Sequence, residues 1–272
     1  MDTGARVDVV LVAGGRWHDI DFARLCLLAE LDRHDVARTT VMSDYSDLEA
    51  IKGADVLVTY TSDVRPSAVQ SQVLAEHVAG GGRWLALHAT CSAVDPPEQG
   101  GPRVFRTPRV IEELAALVGG QFLAHPPIAS YRVEVTDPAH PLVAGLDAFD
   151  TVDELYVCEM RPPVHVLLHS RFNGECPGFA EGAPQVADMR PVLWQKATGA
   201  GVTTTLTLGH CRGRWDVADL DVPDLGMVDR VAWESTGYRE LLRRTVAWSV
   251  HGDDWPQCTG PTDSAWVAGP TS

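Results

Sequence analysis

Four histidines carry most of the chemistry in this sequence. His18, His88, His125 and His210 each follow an apolar or glycine-rich segment, and the carboxylates Asp19, Asp153 and Glu154 lie beside or between them in the chain. An imidazole with a pKa near ~6.5 serves as base, acid or metal ligand around neutral pH. Several imidazoles converging on one cleft make either a proton-transfer site or a transition-metal site. Neutral imidazoles with one carboxylate from Asp19, Asp153 or Glu154 suit zinc, so His18, His88, His125 and His210 are the candidate ligands of a divalent metal. No HExxH or comparably tight ligand spacing accompanies them. The metal-free alternative is acid–base catalysis, which needs a base, an acid and a group that stabilises developing negative charge. In that reading His88 or His210 is the base, and Glu154 or Asp153 is its partner or the acid. His18, Asp19 and His125 contact substrate, and Tyr156 donates a hydrogen bond. Trp17 and Trp215, both flanked by charge, are candidates to stack on a substrate ring. The competing readings are structural: His88 as a packed core histidine, and Asp153-Glu154 as a solvated turn.

The elements that must position these groups are legible from apolar runs and glycine turns. Val7 to Ala13 reads as a first strand closed by Gly14-Gly15, with Asp19 or Asp21 capping the helix that follows. Phe22, Leu25, Cys26 and Ala29 recur at helical spacing. Val36 to Met42 and Ala54 to Tyr60 are further strands, and Pro66 opens a second helix. Gly80-Gly81-Gly82 then feeds Arg83 to Leu87, an apolar strand that ends on His88. This β-α-β-α-β rhythm specifies a parallel, doubly wound sheet with helices on both faces. Its strands deliver His18 and His88 to the same carboxyl edge, where open α/β sheets bind ligands.

Further on, Asp95 to Pro108 and Asn173 to Gly182 read as loops, and Ile111 to Val118 as a helix. Tyr131 to Thr136 and Val164 to His169 are strands, and Val192 to Gln195 pairs with Val202 to Leu208 around Thr198-Gly199-Ala200-Gly201. Tyr238, Leu241, Leu242 and Val246 mark a last helix. His34 and His251 read as surface residues, His77 as structural and His140 as a turn residue. His165 and His169 read as one face of a strand. Residues 1–252 form one domain in this reading, and residues 253–272, with Trp255 and Trp266, form a loosely held tail.

Composition narrows the partners. The 272-residue chain carries a formal net charge of −15, which disfavours a nucleic-acid or anionic-membrane partner. The expected partner is a small-molecule substrate, with a homo-oligomer as a further expectation. No signal-peptide pattern opens the sequence, and no apolar run is long enough to span a bilayer. Six scattered cysteines without a CxxC pair resemble neither a disulfide framework nor a thiolate zinc site, so a reducing cytoplasm is the expected location.

Five marks in order resemble the trehalose-utilisation (ThuA-like) family over roughly residues 7 to 252. They are His18-Asp19 after the first strand, the glycine turn into Leu87-His88-Ala89, and Gly119-Gly120-Gln121-Phe122 with His125. Asp137 to Pro141 with Asp153-Glu154-Leu155-Tyr156, and Gly199-Ala200-Gly201 leading into Leu208-Gly209-His210, complete the set. The resemblance implies an α/β, flavodoxin-like fold similar to class I glutamine amidotransferases, with extra strands. It also implies carbohydrate metabolism, including glycosides oxidised at the 3-position. The sequence departs from those amidotransferases where their nucleophilic cysteine would stand, because His88 occupies the elbow and Cys91 lies three residues later. His210 is followed by Cys211-Arg212 rather than Pro-Glu. Cys91 is the weaker nucleophile candidate, since a thiolate needs an activating base. The function implied is elimination or hydrolysis of a 3-keto-glycoside. The alternatives are a tailoring enzyme of secondary metabolism acting on a non-sugar substrate, and a non-catalytic sugar-binding protein.

Overall fold

A computed structural model describes residues 5–98, 104–182, 188–217 and 227–252. The expected tail, residues 253–272, lies outside the described residues. The first half alternates as expected. β1 (Val7–Gly15) leads to α1 (Ile20–Leu31), β2 (Ala37–Met42), a one-turn α2 (Leu48–Lys52), β3 (Val56–Ser62), α3 (Ala68–Ala79) and β4 (Arg83–Leu87). Asp19 caps α1 by accepting from the Phe22 N–H, and Ser67 with Gln70 forms a capping box on α3. A 3₁₀ turn over His88–Cys91 and α4 (Glu112–Val118) follow. Next come β5 (Gly120–Ala124), β6 (Ala129–Val135), β7 (Phe149–Asp153), β8 (Val157–Met160), β9 (His165–Arg171), β10 (Met189–Thr198) and β11 (Gly201–Leu206). The one-turn α5 (Val231–Glu234) precedes the final α6 (Thr236–His251).

Nine strands form one sheet in the order β2-β1-β3-β4-β11-β10-β9-β6-β7, and β5 pairs with β8 separately. The first five are parallel. Their order is the flavodoxin-like 2-1-3-4-5, with β11 in fifth place. The antiparallel β10, β9, β6 and β7 extend the sheet beyond it. This explains why the parallel strands read as continuous apolar runs: both of their faces are covered. Val9, Leu11, Val58, Leu85 and Leu206 face α1 and α6, together with Leu27, Leu241 and Val246. Val10, Val12, Leu57, Trp84 and Ala86 face α3 and α4, with Leu74, Val78 and Leu117. Trp84 and Trp194 are buried, and each indole N–H has an acceptor, Thr59 Oγ1 at 2.9 Å and the Val118 carbonyl at 2.8 Å. His77 is buried, and His34 and His251 are half-buried and face each other at 3.0 Å instead of pointing to solvent.

Two expectations change. Thr151 to Tyr156 divides between the end of β7 and the turn into β8, and its Asp153-Glu154 pair is buried, not solvated. The two loops described around Phe105 and Phe179 are joined by a parallel bridge between those residues, which brings both over the carboxyl edge of the sheet. Among the described residues no helix is long and apolar enough to cross a membrane.

The two-sided core sets the first prediction. Leu85→Ala in β4, where Leu85 is fully buried, costs about 2–5 kcal/mol in urea unfolding. Leu25→Ala, with Leu25 68% exposed on α1, stays within about 0.5 kcal/mol.

Candidate functional site

Each site residue stands at the end of an element. His18 follows β1, His88 follows β4, and His210 lies just beyond β11. Asp153 closes β7, and the pairing of Ala124 with Val157 sets His125 beside Glu154 and Tyr156. His88 adopts a positive φ of 47°, uncommon for a residue with a side chain, which turns the chain sharply out of β4. The turn is held by Thr90 Oγ1, which bonds the Leu87 carbonyl at 2.8 Å, and by Ser92 Oγ on the Ala89 carbonyl at 2.7 Å.

At the centre, His18 Nε2 and His88 Nε2 are 2.9 Å apart. The far nitrogen of each ring faces a carbonyl: His88 Nδ1 donates to Thr207 at 2.8 Å and His18 Nδ1 to Arg16 at 3.2 Å. Carbonyl acceptors fix the proton on Nδ1, so both Nε2 atoms present lone pairs to each other. Two lone pairs at that distance require a shared proton or a cation between them. Glu154 Oε2 lies 3.5 Å from His88 Nε2 and 4.0 Å from His18 Nε2, and Oε1 lies 3.2 Å from His210 Nδ1. The His210–Glu154 approach is off the line of a hydrogen bond, so both nitrogens of this buried imidazole lack a bonded partner. One ligand atom from each of His18, His88, Glu154 and His210 fits within 4.8 Å of every other. Three imidazoles and a carboxylate, two of the rings oriented by carbonyls and one with orphaned nitrogens, fit a divalent metal such as zinc.

Burial and charge divide the protonation states. Burial, reinforced by the imidazoles of His88 and His210, drives His18 well below 6.5 and keeps it neutral. Burial also opposes the His210 imidazolium, but the charges of Glu154 and Asp153 outweigh it and raise His210 above 6.5. For Glu154, burial favours the acid, yet His125 and His210 hold it well below 4.5. Burial raises Asp153 and Tyr156.

Above this cluster opens a cavity of about 610 Å³. His18, Glu154, His210, His125 and Tyr156 form its polar end, and Trp17, Phe105, Phe122 and Phe179 stand in its apolar wall.

A family model described as ThuA, trehalose utilisation, matches residues 9–221. The chain belongs to the ThuA family. A protein from Parabacteroides merdae described as ThuA-like superposes with a TM-score of 0.66 at 15% identity, covering 95% of this chain and 94% of that one. Another from Bacteroides uniformis superposes at 0.62 with 17% identity, covering 92% and 94%. A protein from Salmonella typhimurium described as cytoplasmic reaches 0.51 at 14% identity over 88% and 99% of the two chains. At these identities the likeness is one of fold. Among curated proteins none matches the sequence.

In this ThuA-family chain the expected residues separate into groups. His18, His88, His210 and Glu154 meet, and Tyr156 OH lies 3.2 Å from His88 Nε2. His125 sits on the other side of the carboxylate, with Nε2 3.4 Å from Glu154 Oε1 and Nδ1 bonded to the Pro126 carbonyl at 2.7 Å, so it stands outside the four-ligand group. His88 is completely buried behind the cavity floor, whereas His210 lines the cavity. Asp153 is not aimed at substrate: it accepts the N–H groups of Glu154 at 2.7 Å, Gly209 at 2.7 Å and His210 at 3.1 Å. Asp19 is likewise engaged elsewhere, capping α1 and pairing with Arg230. Trp17 lines the cavity, but Trp215 is 73% exposed beneath Arg214 and takes no part in the lining. Cys91 is fully buried with its thiol 3.8 Å from the His88 carbonyl, away from the cavity lining, so it is no nucleophile for a bound substrate. Sequence reasoning missed Arg212, Phe105 and Phe179. The signal for Arg212 was its place two residues after His210.

The coupled pair gives a pH prediction for the metal-free protein. A depressed carboxylate stabilises above its unfolded pKa and loses that contribution as pH falls through its folded pKa. A raised histidine stabilises below its unfolded pKa and loses it as pH rises through its folded pKa. The stability difference between wild type and Glu154→Gln is therefore widest between the ordinary values of 4.5 for Glu154 and 6.5 for His210, and shrinks as pH falls toward the depressed pKa of Glu154 or rises through the raised pKa of His210. Histidine NMR titration places His210 above 6.5 in wild type and lower in Glu154→Gln, where its main counter-charge is gone.

Proposed function

We propose that this chain is an enzyme, a lyase or hydrolase that moves a proton at carbon next to a carbonyl, with a divalent metal held by His18, His88 and Oε2 of Glu154, and His210 left free of the metal as the base. The observation that supports it most directly is the pair of opposed Nε2 lone pairs, 2.9 Å apart and each fixed by a carbonyl on Nδ1. A bound zinc would polarise a substrate carbonyl as a Lewis acid. The rest is the work of side chains. His210 is the group best placed to take the proton, since it lines the cavity and Glu154 stabilises the imidazolium that forms. Asp153 positions it by holding its backbone N–H. His125 faces the cavity beside Glu154, where it can return a proton to a leaving oxygen.

In the substrate expected of the family, the proton leaves C2 of a 3-keto-glycoside, the electrons form the C1–C2 double bond, and the C1–O bond breaks with its oxygen protonated. A second reading, a non-sugar substrate, is favoured by the number of apolar rings in the wall, Trp17, Phe105, Phe122 and Phe179, because a sugar stacks on one aromatic face but needs amides and carboxylates for its hydroxyls around the rest of the ring.

Incubation of 3-keto-glycosides with the enzyme, followed by mass spectrometry, tests the first reading. His210→Ala and Glu154→Gln lower turnover by about 10²–10⁴-fold. Turnover that survives both substitutions sinks the assignment. Elemental analysis of the purified protein finds about one zinc per chain, lost in His18→Ala and His88→Ala. Thermal stabilisation by sugar without any turnover would instead identify a binding protein.

A further inference from the structure

The cavity holds an arginine that the described residues leave unmatched. Arg212 lines it, half-buried, and among the described residues its side chain makes no ion pair and no hydrogen bond; its Nε is buried without a partner. Its backbone is fixed, donating to Asp229 at 2.7 Å and accepting from it at 2.8 Å. Asp229 also lines the cavity, but its Oδ1 accepts the Val231 N–H at 3.2 Å and it forms no salt bridge with Arg212. His210 and Arg212 both line the cavity, while Cys211 turns into the core with its thiol 3.1 Å from Tyr60 OH. Two residues span at most roughly 7 Å, so the backbones of His210 and Arg212 stand close together where both side chains line the cavity. Arg16, next to Trp17 in the chain, is paired with Asp63 and lies over the Trp17 ring. A partly buried, unpaired guanidinium is costly, and an anion in the cavity relieves that cost.

Beside it stands the aromatic wall. Phe105 packs 6.1 Å from Trp17 and 5.7 Å from Phe179, centroid to centroid. Trp17 holds a positive φ of 66°, a strained conformation for a bulky residue, and its buried Nε1 has no partner. Such strain is kept where the surroundings need the side chain in that place.

We infer that the cavity takes an organic monoanion with a flat apolar body, its carboxylate on Arg212 and its body against Trp17, Phe105 and Phe179. One unmatched cation in a chain of net charge −15 fits a single negative charge rather than a phosphate dianion. The inference rests on the cavity being the substrate site, not on the reaction proposed for it.

Calorimetry with phenylacetate, its neutral isostere phenylacetamide, acetate and trehalose tests it on the full chain. Phenylacetate binds about tenfold or more tightly than either phenylacetamide or acetate, and trehalose does not compete. Arg212→Gln brings phenylacetate down to the level of the amide and leaves the amide unchanged. Arg212→Lys retains part of the preference, and Phe179→Ala weakens acid and amide together. Unchanged melting temperatures show that the variants fold. Equal binding of acid and amide, or a preference that survives Arg212→Gln, overturns the inference. So does a preference abolished by chelation in wild type, since the carboxylate would then sit on a metal. Loss of the reaction assignment shows differently: 3-keto-glycosides are not turned over, while the Arg212-dependent preference persists.

Discussion

The site depends on one buried carboxylate that does no chemistry. Asp153 gathers three backbone N–H groups, its neighbour's and those of Gly209 and His210, and so ties the end of β7 to the chain leaving β11. Carboxylates that accept several backbone donors are strongly held in place, and the donors would otherwise be buried without partners. The tie needs Gly209: its φ of 111° belongs to glycine, and a Cβ there would stand 2.4 Å from Tyr238 OH. From this one junction follow the placement of His210 on one side and of Glu154 on the other. The reactive groups are therefore set by backbone geometry and not by loose side-chain packing.

Burial then does the electrostatic work. Four titratable groups share a space too dry to charge all of them, so their states separate. His18 is forced neutral, Glu154 stays ionised, and His210 becomes the favoured home for a proton. A site that holds a neutral imidazole, a carboxylate and a proton acceptor within a few ångströms has the parts of an acid–base catalyst and of a metal centre alike.

The parallel half of the fold was legible because its strands are buried on both faces and must be apolar throughout. Val9 to Val12 and Trp84 to Leu87 announce themselves without any partner in view. His18, His88 and His210 were legible for a related reason, since each stands just past such a run. Asp153 and Glu154 were visible as residues but not in their roles: one residue apart, they point into different surroundings, and only the β5–β8 pairing and the approach of Gly209 decide which is tethered to backbone and which is offered to the histidines. Trp215 misled because charge beside an aromatic residue marks a solvent-exposed stack as readily as a sugar platform. The wall was illegible, because Phe105 and Phe179 are isolated aromatics in loops whose meeting is purely tertiary.

The provenance of the parts also differs. His18 and His88 come from the parallel scaffold, whereas Phe105, Phe122, His125, Glu154 and Phe179 all lie in the excursion between β4 and β10. The excursion also supplies core: Leu114 and Leu117 of α4 pack on the parallel strands, whereas the loops that carry Phe105 and Phe179 meet above the carboxyl edge. The packed strands and α4 are thus the fixed part, and the two loops that meet at Phe105 and Phe179 are an exchangeable hood. Substitutions in the hood can retune what enters while the imidazole pair beneath keeps its geometry, a division that lets one fold drift among substrates without being refolded each time.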